Sequence, residues 1–242
     1  MPTKSLSVPK VSRRTTVIAL VVALVLVAGA LIGGEAYARH RIASCISSQF
    51  EKEMGSQINV GFGAKPLLIT WLDGKVSRMD VDSEGAEFGP AVGMQVHAQF
   101  HDITMPEGST SGSSIGSSSA DVSWSNTGIS ETLKGLVSDV VSDPTTGYLT
   151  MKVLGGIGEL QVVPQIQDGK VDVSVAQAQF LGFGIPDDLA EGVVDLMTES
   201  LQTYPLGMQP TELRVTDSGI EIDLAGGEAQ LPAPAEGSNA SC

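Results

Sequence analysis

An uncharged run, TVIALVVALVLVAGALI, occupies Thr16 to Ile32 and constrains this chain more than any other feature. At about 1.5 Å per helical residue it nearly crosses a hydrocarbon core of about 30 Å, so it reads as a membrane span. Lys4, Lys10, Arg13 and Arg14 precede it. The positive-inside bias therefore places the N-terminus in the cytoplasm, although Arg39 and Arg41 behind the run soften the asymmetry. Two other readings of this segment stay open. Ala36-Tyr37-Ala38 is an A-x-A-like cleavage pattern that would release the domain. Ile42-Ala43-Ser44-Cys45 loosely resembles a lipobox, with Arg39, His40 and Arg41 separating it from the apolar run. The reading adopted is a retained signal anchor: residues 1–15 a cytoplasmic basic tail, 16–34 the span, 35–226 one extracytoplasmic domain, and 227–242 a disordered tail rich in Pro, Ala and Glu.

Every Asp and Glu follows the span, and without the four leading cations ten basic residues face twenty-eight acidic ones. So acidic a domain is repelled by nucleic acid and by broad anionic surfaces, which excludes a nucleic-acid partner. The two cysteines are Cys45, just past the span, and Cys242, the last residue. In an oxidising compartment they can pair and tie the tail to the stem; the alternative is two free thiols. Pairing requires their Cα atoms to approach within about 4.4 to 6.8 Å.

Hydropathy patterning gives the elements. Ile42, Ile46, Phe50 and Met54 recur every four residues, a helical stripe continuing from the span. Ile58, Val60 and Phe62 alternate as a strand. LLITWL and the segment from Val76 flank Asp73-Gly74, which predicts a hairpin. Val92, Met94, Val96, Ala98 and Phe100 alternate with Gly93, Gln95, His97 and Gln99, a long strand with one apolar face. Residues 107–119 are Ser, Gly and Thr rich and read as a mobile loop before a strand at 120–124. Ile129, Leu133, Leu136, Val137, Val140 and Val141 predict a helix capped by Thr127 or Ser130 and closed by Pro144. Strands follow around Leu149–Val153 and at 160–166, then a second hairpin at Asp168-Gly169 leads into 171–175. A helix starts at Asp187 and runs through Leu201 and Tyr204 to Pro205. Leu213 and Val215 then pair with Ile220, Ile222 and Leu224 across Asp217-Ser218-Gly219. DGKV occurs at 73–76 and at 168–171, hinting at two related halves.

Catalytic and metal chemistry finds little support. Gly112-Ser113-Ser114-Ile115-Gly116 has nucleophile-elbow spacing but lies in low complexity, without the strand before and helix after that the elbow requires. His97 and His101 share one side of a strand about 13 Å apart, too far to hold one metal ion, and read as polar-face residues. Asp80, Asp82, Glu84 and Gly85 imitate half a calcium loop whose closing carboxylate position is Ala91; alternating carboxylates on a solvated strand explain them more simply. No glycine loop suited to phosphate occurs. No catalytic residue, metal or cofactor is assigned. Apolar faces are ordinarily core, and core is the favoured reading for any single residue, but small residues on inner faces (Gly61, Gly63, Gly93, Ala98, Gly155, Gly156, Gly182, Gly184) suit a curved sheet that closes incompletely around a helix and leaves an apolar groove.

Four segments carry a family resemblance: KPLLITWLDGKV, FGPAVGMQVHAQFHDI, IGSSSADVSW and DLMTESLQTYPLGMQPTELRVTDSGIEIDL. They resemble an actinobacterial envelope family of phospholipid-binding proteins typified by the lipomannan elongation factor, over about residues 40 to 226. That resemblance implies an extracytoplasmic protein that binds phospholipids, including phosphatidylinositol types, and supports maturation of mannosylated lipoglycans. It also implies a curved antiparallel sheet wrapping a helix, similar to tubular lipid-binding domains. It carries no motif of binding residues.

The expectation is thus an α+β domain in which strands 92–100, 160–166 and 171–175 form one curved sheet packed on apolar helices, with acyl chains in a cleft between them. From pattern alone, Trp71, Met94, Val96, Phe100, Phe180 and Phe183 are candidate lining residues. Lys65, Lys75 and Arg78, clustered in an acidic domain, are candidate headgroup contacts. The alternative is a packed scaffold that binds an envelope enzyme or transporter.

Overall fold

In the computed structural model, the described residues are 13–54, 57–88, 91–104, 113–180, 184–202 and 204–230. The span and its stem form one unbroken helix, α1 (Arg13–Met54). Within it, Val17–Ser48 is long and apolar enough to cross a membrane. Its apolar side chains are exposed, Leu24 by 71% and Ile32 by 72%, so no protein core accounts for them.

The elements after α1 are β1 (Ile58–Phe62), α2 (Leu67–Asp73), β2 (Lys75–Phe88), β3 (Ala91–Thr104), β4 (Ser114–Ile115), β5 (Ser117–Ser125), α3 (Asn126–Thr132), β6 (Val137–Asp143), β7 (Tyr148–Val153), β8 (Gly158–Gln167), β9 (Lys170–Phe180), α4 (Asp187–Leu201), β10 (Gln209–Thr216), β11 (Gly219–Gly226) and β12 (Ala229–Gln230). The domain is α+β with two curved antiparallel sheets. The first runs β1-β2-β3-β5-β11-β10, with β4 and β12 paired at its margin; the second is the meander β6-β7-β8-β9. One apolar core joins them, from Trp124 and Ile220 of the first sheet through Ile129 and Leu133 around α3 to Met151 and Leu160 of the second and Met197 of α4.

Several expectations are corrected. Strand 92–100 lies in the first sheet, and strands 160–166 and 171–175 lie in the second, because alternation reveals which side chains share a face but not which strands pair. LLITWL is a helix. The carbonyl of Pro66 accepts from the N–H groups of Ile69 and Thr70, and Gly74 at φ 64° closes the turn by donating to the Thr70 carbonyl. Asp73-Gly74 therefore ends a helix, using the same left-handed freedom a hairpin would need. Asp168-Gly169 does form a two-residue hairpin, with φ 52° and 73°, so the two DGKV segments occupy different structures.

The expected helix through Val141 stops after seven residues. Gly135 adopts φ 97°, and Val137 onward alternates as β6, burying Val137 and Val140 and exposing Val141. Its cap is Ser125, whose Oγ accepts the Gly128 N–H at 3.1 Å, rather than Thr127 or Ser130. Residues 114–119 are strand rather than loop, since backbone pairing with β3 and β11 supplies the order their small side chains cannot; residues 107–112 lie outside the described set. The tail begins with β12 paired to β4, and 231–242 lie outside the described set. Helix α4 ends at Leu201, before Tyr204. The final hairpin pairs Leu213 with Ile222 and Val215 with Ile220 as the alternation predicts.

Candidate functional site

Alternation along β3 puts Met94, Val96, Ala98 and Phe100 on one face, and the strand register extends that face across the first sheet. One row reads Ile58, Ser83, Val96, Val122, Ile222, Leu213 from β1 to β10. The next reads Val60, Val81, Ala98, Ala120, Leu224, and a third begins Phe62, Met79, Phe100, Ser118. Coverage is uneven along these rows: in the first, Ile58 and Ser83 are buried while Val96, Val122 and Leu213 are partly exposed. Toward β5 and β11 the face is sealed against α3 and the second sheet, with Trp124 and Ile220 each 1% exposed. From β1 to β3, Val60, Phe62, Met79, Val81 and Val96 are only partly buried, as are Val122 of β5 and Leu213 of β10. Between the two regions the floor is made of small residues, Ala98 and Ala120.

Two serines interrupt this apolar face. Ser83 and Ser118 are 3% and 4% exposed, and their hydroxyls have no hydrogen-bond partner among protein groups. A buried hydroxyl left unpaired costs about 1–3 kcal/mol, so each is a vacant polar contact facing an oily surface. The small-residue signal does not find them, since it points to glycines. Of those, Gly61 lies on the opposite face beside Asp80, Gly155 and Gly156 form an exposed turn, and Gly182 lies outside the described residues.

The other expected site residues divide as follows. Met94, Val96 and Phe100 share the inner face. Trp71 is in α2 and Phe180 ends β9 of the second sheet, but their side chains are outside what is described, as is all of Phe183. Lys65, Lys75 and Arg78 gather where α2 meets β2. Lys65 Nζ lies 2.6 Å from Asp73 Oδ2 and donates to the Lys75 carbonyl at 2.8 Å; Arg78 pairs with Asp80 at 2.7 Å. The Lys65 hydrogen bond, with the Lys75 N–H, holds the Asp73 carboxyl below its ordinary range. A phosphate at this cluster would compete with two carboxylates, and Lys75 and Arg78 are its exposed members. Cys45 is in a disulfide, and Cys242 lies outside the described residues.

Beside this cluster sit two residues the patterning missed. Glu35 Oε1 accepts from Arg39 Nε and from the Leu67 N–H that opens α2, each at 2.7 Å. Arg39 also donates to the carbonyls of Phe62, Gly63 and Lys65 at 2.9 to 3.0 Å. The visible signal was a Glu and an Arg four residues apart immediately after an apolar span.

The opposite face of the first sheet is polar. A cleft of about 570 Å³ there is lined by Asp82, Gln95, His97, Asp121, Arg214 and Glu221 among others. His97 contacts Asp82 and Gln99, and Arg214 contacts Asp223, Glu212 and Glu221, the bonds with Asp223 and Glu212 raising its pKa. Asp80 and Asp82 lie in β2 rather than in a calcium loop, and no group of three potential ligands forms among the described residues. Ser114 sits in a short strand followed by another strand, not on a strand-to-helix turn.

Uncharacterized proteins of Mycobacterium tuberculosis and Mycobacterium bovis are 26% identical over 228 residues, covering 90% of this chain and 65% of their own length. The chain thus spans just under two thirds of those relatives. No solved structure matches it. The family model for LmeA-like phospholipid-binding proteins matches residues 29–225, which takes in the end of the span, both sheets and α2 to α4. With most of its length inside that match, the chain belongs to the LmeA-like phospholipid-binding family.

Proposed function

We propose that this chain is a non-catalytic binder of anionic phospholipid, held at the extracytoplasmic surface of the cell membrane by a retained α1, and that it supports lipoglycan and envelope biogenesis. Acyl chains lie against the half-covered part of the first sheet. Val60, Phe62, Met79, Val81 and Val96 supply apolar contact, and Ala98 and Ala120 leave depth beneath it. The carrying observation is the partial burial of this apolar strip beside a sealed core, since each of its five side chains keeps part of its surface open to solvent. Covering apolar surface is worth about 25 cal/mol per Å², so a hydrocarbon tail is the natural occupant. The hydroxyls of Ser83 and Ser118 would satisfy ester oxygens or their bound water. The cluster of Lys65, Lys75 and Arg78 is the local attraction for a phosphate headgroup.

The test is native mass spectrometry of the full chain released from membranes. Bound phospholipid should be detected on the wild-type protein and reduced several-fold by Val96→Trp, which fills the strip. Protein that is consistently empty contradicts the proposal. The polar cleft around Asp82, His97 and Arg214 favours a second reading, a scaffold that docks an envelope enzyme or transporter on its outer face. Empty protein that still captured such a partner would support that reading instead.

A further inference from the structure

The Glu35–Arg39 contacts fix the height of the domain above the span. The apolar run ends at Ile32, and at about 1.5 Å per residue Glu35 stands about 4.5 Å beyond it. A headgroup layer is about 5–7 Å deep on each side of the hydrocarbon. Leu67, the first residue of α2, is hydrogen-bonded directly to Glu35, and Arg39 one turn higher holds the carbonyls of Phe62, Gly63 and Lys65. Helix α2 therefore cannot swing away from the base of the span without breaking these bonds.

The chemistry of this end matches its position. Tyr37 is 67% exposed on the stem, where an amphipathic ring sits at a membrane interface, and Ile69 of α2 is 49% exposed. Five of the ten cations that follow the span (Arg39, Arg41, Lys65, Lys75 and Arg78) are gathered here. Among the described residues the same end holds Glu35, Asp73, Asp80 and Asp102, four of the twenty-eight carboxylates. An anionic surface thus attracts this end and repels the rest of the domain, which orients it.

We propose that α2 and the adjoining β1 and β2 ends dock on the bilayer that α1 crosses, with Ile69 at headgroup depth. This places the half-covered strip, which begins at Phe62 and Met79, directly above one leaflet. A phospholipid then reaches the strip from that leaflet with little exposure to water. The inference rests on the reading that α1 spans a membrane.

Single tryptophans placed in a Trp71→Phe background test it, with the full chain in two sets of phosphatidylcholine–phosphatidylglycerol vesicles, one carrying bromines near the headgroup end of the acyl chains to report on position 69 and one carrying them near the chain terminus to report on position 24 at the centre of the span. Trp124, 1% exposed, contributes a constant background. Fluorescence of Ile69→Trp should fall at least about twofold on bromination, as should that of Leu24→Trp in the span, while Val141→Trp on the second sheet should not respond. Adding Arg39→Leu should release quenching at position 69 and leave it at position 24. Quenching at position 24 without quenching at 69 overturns the docking alone. No quenching at either overturns the span reading and the docking with it. Equal quenching at 69 and 141 indicates unspecific adsorption and overturns the docking. Should Ile69→Trp disturb the fold, Lys75→Trp, also exposed at this end, serves as reporter with the same outcomes.

Discussion

Gly128 has no room for a side chain. A Cβ there would lie 2.6 Å from the Val92 carbonyl oxygen and about as close to the Trp124 ring as a heavy atom can come, at 3.1 Å. That carbonyl already accepts the Trp124 indole N–H at 2.9 Å. Gly128→Ala must displace backbone rather than a flexible side-chain tip, so it should destabilise the fold by about 1–3 kcal/mol in denaturant unfolding. Ser125→Ala removes the hydroxyl that caps α3 and should cost about 1 kcal/mol by the same measurement. Two exposed carboxylates give a pH dependence. Asp73 is held low by its hydrogen bond from Lys65, and Asp143 by hydrogen bonds from the Thr145 N–H and the Thr146 hydroxyl. A carboxylate whose native pKa is depressed contributes stability that is present above its unfolded value, about 4, and lost as pH falls through the native value. The Tm should therefore drop between pH 5 and pH 2, and Asp73→Asn with Asp143→Asn should flatten part of that drop; an unchanged acid slope would contradict the assignment.

At the scale of elements, local pattern was legible where local contacts decide the structure. Strands β1, β3, β8, β9, β10 and β11 follow their apolar alternation, and α4 follows its acidic first turn. Asp168-Gly169 makes its hairpin because two facing strands are already paired up to Gln167 and Lys170. The same dipeptide at Asp73-Gly74 ends a helix because the Leu67 N–H finds a partner in Glu35, thirty-two residues earlier, which no window around LLITWL contains. Likewise Val137, Val140 and Val141 fit a helical stripe as well as a strand, and cross-strand pairing with β7 settles it. Of the site, the apolar face of β3 was legible, with Met94, Val96 and Phe100. Its half-covered margin was not, because exposure depends on what α1, α2 and the second sheet leave open. Ser83 and Ser118 look like surface serines in sequence and become buried only through their register beside Val96 and Phe100.

Across the whole molecule, one long helix carries an acidic domain whose two sheets share one apolar core. Burial is nearly complete around Trp124, Ile129 and Ile220, where β5, α3 and β11 meet the second sheet, and partial along Val60, Phe62, Met79 and Val81 of β1 and β2, near α1. Under the proposed function, this partly exposed apolar strip near α1 is the part of the fold suited to taking up a lipid tail. The direct measurement is photo-crosslinking with a phospholipid bearing a diazirine in its acyl chain, on the full chain in vesicles, with labelled residues resolved by mass spectrometry. The account predicts label on Val60, Phe62, Met79, Val81 and Val96. Label confined to Gln95, His97 and Asp121 on the outward face, or none on the domain at all, would contradict it.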